Sequence, residues 1–186
     1  MKKLLIAVAA AATLSACGGA RNDAQPHSYD FGIEPPASKL PAVRVGQVRA
    51  LAPFDSVEMY YRLAFRNPAE LLAFAESRWA ALPAELYRKR LLRAVSTGAG
   101  RCTLEVELHE ITQVFGARES SEALLELRAR LGDGAGQSAE RMFRIVQSGA
   151  GAGAPAGAAA MAQAADRSIG DLAAWIRTVP GCASSG

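Results

Sequence analysis

The sequence predicts an α/β layered domain, and three observations predict it. Period-two alternation of apolar and polar residues recurs at 57–63, 102–109 and 120–131, as in half-buried strands. A stripe of Met161, Ala165, Ser168, Leu172, Trp175 and Val179, spaced four, three, four, three and four, marks a long amphipathic helix at the end of the chain. Strands interleaved with helices and covered by a terminal helix make layers around one core. At 186 residues, the chain has room for one folded unit of roughly 150 residues and little else.

The elements follow in order. Tyr29-Asp30-Phe31-Gly32 reads as a short strand stopped by Gly32 and the Pro35-Pro36 pair. Val43, Val45 and Val48 mark a second strand, with Gly46 as a bulge. A turn at Pro53 and Asp55-Ser56 leads to a third strand carrying Val57, Met59, Tyr61 and Leu63 on one face. Asn67-Pro68-Ala69-Glu70 has the chemistry of a helix start, and predicts a helix over 71–79 that stops near Pro83. Pro83 opens a second helix to 96, with Leu82, Leu86, Tyr87, Leu91 and Val95 on its apolar stripe and Gly98 as its stop. Cys102, Leu104, Val106 and Leu108 then point one way from the strand expected at the centre of the sheet, which Ile111 to Phe115 continue. The segment from Ser120 has a helix-compatible composition, yet its strict alternation favours a strand. A Gly132-Asp133-Gly134 turn sends 141–146 back as the last strand, and 148–157 reads as a Gly/Ala/Pro loop before the terminal helix.

Composition excludes several functions. Half the residues are hydrophobic and 21% charged, so the chain is neither wholly disordered nor a polytopic membrane protein. Of its net charge of +3, Lys2 and Lys3 lie at the extreme N-terminus, and without them 19 basic residues face 18 acidic ones. That balance does not describe a nucleic-acid binder, which must neutralise many phosphates.

The first residues read as a secretory signal: two lysines, an apolar run from Leu4 to Leu14 and small residues after it. The run is too short to span a bilayer, which needs about 20 residues. Leu14-Ser15-Ala16-Cys17 resembles the lipobox of bacterial lipoproteins, in which the cysteine is acylated and becomes the first mature residue. Two or more acyl chains hold a protein stably on a membrane. The expected organisation is a signal peptide at 1–16, a lipidated flexible tether at 17–27 and a single periplasmic domain at 28–182. Gly18, rather than Asp, after the acylated cysteine favours the outer membrane over retention at the inner one.

With Cys17 assigned, Cys102 and Cys182 remain. In an oxidising compartment the pair reads as a disulfide, with two free thiols as the alternative. His27 and His109 add no metal-ligand spacing. The Gly151 to Ala156 run mimics a dinucleotide-binding loop, but Pro155 lacks the N–H a phosphate cradle needs and no further βαβ unit follows. Glu105, Glu107 and His109 share one strand face, a carboxylate pair with a histidine that also fits an ordinary solvated sheet surface. Arg88-Lys89-Arg90 with Arg93 offers either a contact face for an acidic partner or anionic lipid headgroups, or a solvated helix face. Trp79 and Trp175 read as core rather than as ligand platforms. No residue pattern names a catalyst, metal or cofactor.

Several segments together resemble a known family. They are Tyr29-Asp30-Phe31-Gly32, Phe54-Asp55-Ser56 followed by Met59-Tyr60-Tyr61-Arg62, Arg78-Trp79-Ala80-Ala81-Leu82-Pro83, the run from Leu104 to Phe115, and Ala173-Ala174-Trp175-Ile176. Their order and spacing are similar to those of the auxiliary lipoprotein components of ABC-type transport systems, which accompany mammalian-cell-entry (MCE) domain lipid transporters. Phe31, where leucine is common, and Leu82, where proline is more usual, depart from that pattern. The resemblance implies a three-layer α/β fold with a mixed sheet, similar to the anticodon-binding-like arrangement, and a non-enzymatic role without cofactors. It implies partnership with an MCE-domain protein, a permease and an ATPase in moving phospholipid or other hydrophobic compounds. It supplies no catalytic or binding residue. A small periplasmic ligand-binding protein and a structural envelope lipoprotein are the alternative readings.

Overall fold

The computed structural model describes residues 25–98, 100–134, 138–149 and 151–182. Among these residues, seven strands and two helices follow one another as β1 (His27–Tyr29), β2 (Arg44–Ala50), β3 (Glu58–Leu63), β4 (Leu72–Trp79), α1 (Pro83–Ala94), β5 (Thr103–Ala117), β6 (Ser120–Gly132), β7 (Ser138–Ser148) and α2 (Ala154–Thr178). The result is an α/β fold on one mixed sheet, as expected.

The sheet is organised around β5, whose 15 residues make it the longest described strand. On one side it pairs with β6 in antiparallel register, from Thr103↔Gly132 to Ala117↔Ser120. On its other side β2 pairs in parallel with the first half and β3 in parallel with the second. β4 and then β1 extend the sheet beyond β3, and β7 extends it beyond β6. The alternation at 120–131 is therefore a strand paired on both sides, and its composition does not prevail. The expected irregularity near Gly46 is present as a register shift between Val45 and Val48.

The sheet's inner face is aliphatic. Leu104, Val106 and Leu108 of β5 and Leu125, Leu127 and Leu131 of β6 are buried with Met161, Ala165, Ile169, Leu172 and Ile176 of α2. The alanine-rich first half of α2 buries Ala154, Ala158, Ala160 and Ala164, small side chains that let a long helix lie close to the strands. α1 packs beside α2, and Tyr87 joins the two by a 2.6 Å hydrogen bond to Ser168. Ser168 gives its own proton to the Ala165 carbonyl, so the tyrosine is the donor. Burial, ahead of its other surroundings, pushes the Tyr87 phenol well above its ordinary pKa, and it stays neutral in that role.

The structure corrects four local expectations. The helix expected over 71–79 is strand β4, antiparallel to β3. Asn67 Oδ1 accepts the Ala69 N–H at 3.1 Å, so the same asparagine chemistry closes a turn between two strands instead of capping a helix. The first strand ends at Tyr29, and Asp30 Oδ1 bonds the Gly32 N–H, turning Phe31 into the core. α1 ends at Ala94 rather than at Ser96, because Val95 turns extended and bridges Leu40. The terminal helix starts at Ala154, inside the expected loop, with Pro155 in its first turn, where a missing N–H costs nothing. Gly100 meets a constraint of its own: an added Cβ would stand 2.5 Å from the Ala42 carbonyl oxygen, so only glycine lets the chain pass there.

Candidate functional site

β5 carries Glu105, Glu107 and His109 on the face away from the aliphatic core, as expected from their spacing. His109 donates from Nε2 to Glu107 Oε1 at 2.8 Å, and Arg49 of β2 pairs with the other carboxylate oxygen. Glu105, Glu107, Arg49, Arg128 and Arg130 line a shallow cleft of about 240 Å³. Partial burial would raise the Glu107 pKa, but the His109 hydrogen bond and the Arg49 and Arg128 charges outweigh it and hold the carboxyl below its ordinary range. A depressed carboxyl pKa stabilises the fold above the ordinary value and loses that contribution as pH falls through the folded one. The cations around Glu107 thus favour its ionised form.

The rest of this face is built the same way. Arg62 grips Glu110 with Nε at 3.0 Å and Nη2 at 3.3 Å, and Thr112 donates to the same carboxylate. Arg144 reaches Glu126 at 2.9 Å, and Arg130 reaches Glu140 at 3.1 Å. Cross-strand ion pairs of this kind each contribute roughly 0.2–1 kcal/mol to a sheet. Among the described residues no group of three or more His, Cys, Asp and Glu side chains stands together as metal ligands.

The second candidate is α1. Arg88, Lys89 and Arg93 are exposed and line one open groove with Glu85 and Leu92. Arg90 separates from them and corrects the reading of the whole run as one surface. It is 5% exposed, with Nε and Nη2 each 2.7 Å from an Asp166 carboxylate oxygen. Its Nη1 donates to the Phe31 and Glu34 carbonyls at 2.9 and 2.8 Å. One guanidinium thereby fastens α1, α2 and the 31–34 segment, using the planar fork that suits arginine to such a node. Sequence reasoning missed it, although position 90 continues the buried stripe of Pro83, Leu86, Tyr87, Leu91 and Ala94.

Cys102 and Cys182 meet at the end of α2, with Cα atoms 5.4 Å apart and the sulfurs bonded. Cys17, the expected lipidation site, lies outside the described residues. Among those residues no helix is long and apolar enough to cross a membrane. Trp79 and Trp175 are buried, edge-on to Phe31 and Phe143, and so belong to the core.

The described residues thus form an α/β module: a mixed sheet backed by two helices, with ion pairs on the sheet's outer face and exposed cations on α1. The chain belongs to the family of ABC-type transport auxiliary lipoprotein components, whose model matches residues 33–173. That family is one of membrane-anchored accessory subunits of transport systems, and its match spans both helices' packing partners and most of the sheet. Two solved structures share the fold. A crystal structure of a Xanthomonas campestris protein of the DUF330 family is similar over 81% of this chain and 91% of its own, at TM-score 0.61 and 20% identity. An uncharacterised protein is similar over 82% of this chain and 99% of its own, at TM-score 0.62 and 16% identity. No curated protein matches the chain.

Proposed function

We propose that this chain is the lipid-anchored periplasmic subunit of an MCE-associated ABC transport system for phospholipid or other hydrophobic compounds, acting by binding and placement rather than by catalysis. The family match carries this reading. It gains support from the lipobox-like Leu14-Ser15-Ala16-Cys17 ahead of a short polar stretch. In this reading residues 1–16 are removed, acylated Cys17 sits in the outer membrane, 17–27 is the tether and 28–182 is the working domain. Its partners are the MCE-domain protein, the permease and the ATPase, and Arg88, Lys89 and Arg93 form a contact face. A short tether raises the effective concentration of the domain for anything at the same membrane. Glu107, Glu110, Glu126 and Glu140 are all held by arginines of the sheet, which supports a structural role for these carboxylates.

Acyl labelling and cross-linking in intact envelopes test the proposal together. The wild-type chain is expected to take up fatty-acyl label and to cross-link to the permease, ATPase or MCE-domain subunit. Cys17→Ala is expected to lose the label, run as a larger precursor and lose the cross-links. Normal labelling of Cys17→Ala, or a wild-type chain that cross-links to none of the three, contradicts it.

A further inference from the structure

Three cations of α1, Arg88, Lys89 and Arg93, stand beside the 30–33 segment, just past the point where the chain enters the domain. Among the described residues neither Arg88 nor Lys89 stands in an ion pair, whereas five arginines of the sheet do, Arg49, Arg62, Arg128, Arg130 and Arg144, and three, Arg44, Arg78 and Arg141, do not. Arg93 spends its hydrogen bonds on the Gly32 and Ile33 carbonyls, and Lys39 on the Arg93 carbonyl, so both keep their charge uncompensated beside the same helix end. Apolar side chains protrude among these cations: Leu92 is 48% exposed and Ile33 is 83% exposed. Alternating cations and protruding aliphatic groups are the chemistry of an interfacial surface, in which the charges meet headgroups and the apolar groups enter the boundary layer. Glu85 is the one acid lining the same groove.

The path of the chain selects the occupant. β1 leads directly into Asp30, Phe31 and Gly32, which share a crevice with Lys89, Arg90 and Arg93. From Cys17 to His27 is a span of ten residues, which reaches at most about 35 Å when fully extended. A lipid at Cys17 therefore keeps the entry point of the domain at His27 within about 35 Å of the bilayer, on the side where α1 presents its cations. We propose that the exposed face of α1, with Arg88, Lys89, Arg93, Lys39, Leu92 and Ile33, lies on the anionic surface of the membrane that holds the tether. This rests on the lipid-anchor reading, and it assigns an orientation: α1 towards the headgroups, and the β7 edge with its exposed Met142 away from them.

The test uses the acylated chain in vesicles that contain quencher-labelled lipid near the headgroups. A fluorophore is placed at Leu92→Cys in one sample and at Met142→Cys in another, labelled without reductant. With one-third anionic lipid, the probe at 92 is expected to be quenched and the probe at 142 to remain bright. Each basic side chain near such a surface favours the docked state about fivefold, so adding Arg88→Gln and Lys89→Gln should lower the docked-to-free ratio on the order of 25-fold. Purely zwitterionic vesicles should release the face, and so should 1 M salt, where the screening length falls to about 3 Å. A chain that floats with vesicles but quenches no more at 92 than at 142 overturns the proposal alone, as does quenching at 92 that ignores salt, anionic lipid and the double substitution. A chain that fails to float with zwitterionic vesicles has no working anchor, which overturns the tether reading and this proposal with it.

Discussion

Asp166→Ala is expected to destabilise the domain by about 3 kcal/mol, because it strips the bidentate partner from a buried guanidinium and leaves the charge uncompensated. Arg90 is the group at risk: it is almost fully buried, and among the described residues Asp166 alone pairs a carboxylate with it. The two carbonyls of Phe31 and Glu34 still accept its Nη1 protons but cannot neutralise it. Replacing both charges, Arg90→Met with Asp166→Leu, should recover much of the loss, since a buried pair exchanged for apolar groups of similar size is often neutral. Denaturant titration of the two variants measures both quantities. A loss below about 1 kcal/mol for Asp166→Ala, the range of exposed ion pairs, would mean that water already solvates the node.

Loss of the Cys102–Cys182 bridge is the second large effect. The bond closes a loop with a sequence separation of 80. In the chain-entropy model a loop of that length removes about 4.5 kcal/mol of unfolded-state freedom, and typical measured values run at 2–4. Cys102→Ala with Cys182→Ala is therefore expected to cost about 3–4 kcal/mol, most of it through the unfolded chain. Both residues are buried, so alanine also leaves a small void beside the end of α2. The unreduced, acylated protein should take up no thiol reagent until it is denatured and reduced. Alkylation of both cysteines in the denatured, unreduced protein would show that the bridge does not form in the envelope.

What the sequence shows depends on the range of the interaction. Strands β5 and β6 were legible because each buries one face, and a one-residue slip would invert the whole set of side chains; β3 was legible from its alternation, although only Met59 of it is fully buried. The long α2 was legible for the corresponding reason at a period near 3.6. β4 was not, because Asn67-Pro68 supplies a helix cap or a strand-to-strand turn with the same atoms, and pairing with β3 and β1 decides between them. The order of the sheet was beyond local pattern, since β5 is shared by β2 and β3 along different halves. For the candidate site, spacing put Arg88, Lys89 and Arg93 on the surface but also included Arg90, whose charge drew attention from its place on the buried stripe. Glu107 and His109 were placed on one face by alternation, while the pairing of Glu107 with Arg49 required the neighbouring strand.

The central claim is that this domain works through surfaces and placement, with no residue turning over a substrate. Complementation of a strain lacking the gene, scored by envelope integrity, tests it most directly. Glu105→Gln and His109→Ala, on the outward face of β5, are expected to complement fully, while the doubly substituted Arg88→Gln, Lys89→Gln chain is expected to complement poorly although it folds and stays membrane-attached. If Glu105→Gln or His109→Ala abolishes complementation in a folded, attached protein while the α1 variant behaves as wild type, the claim is contradicted and the β5 face is a catalytic site.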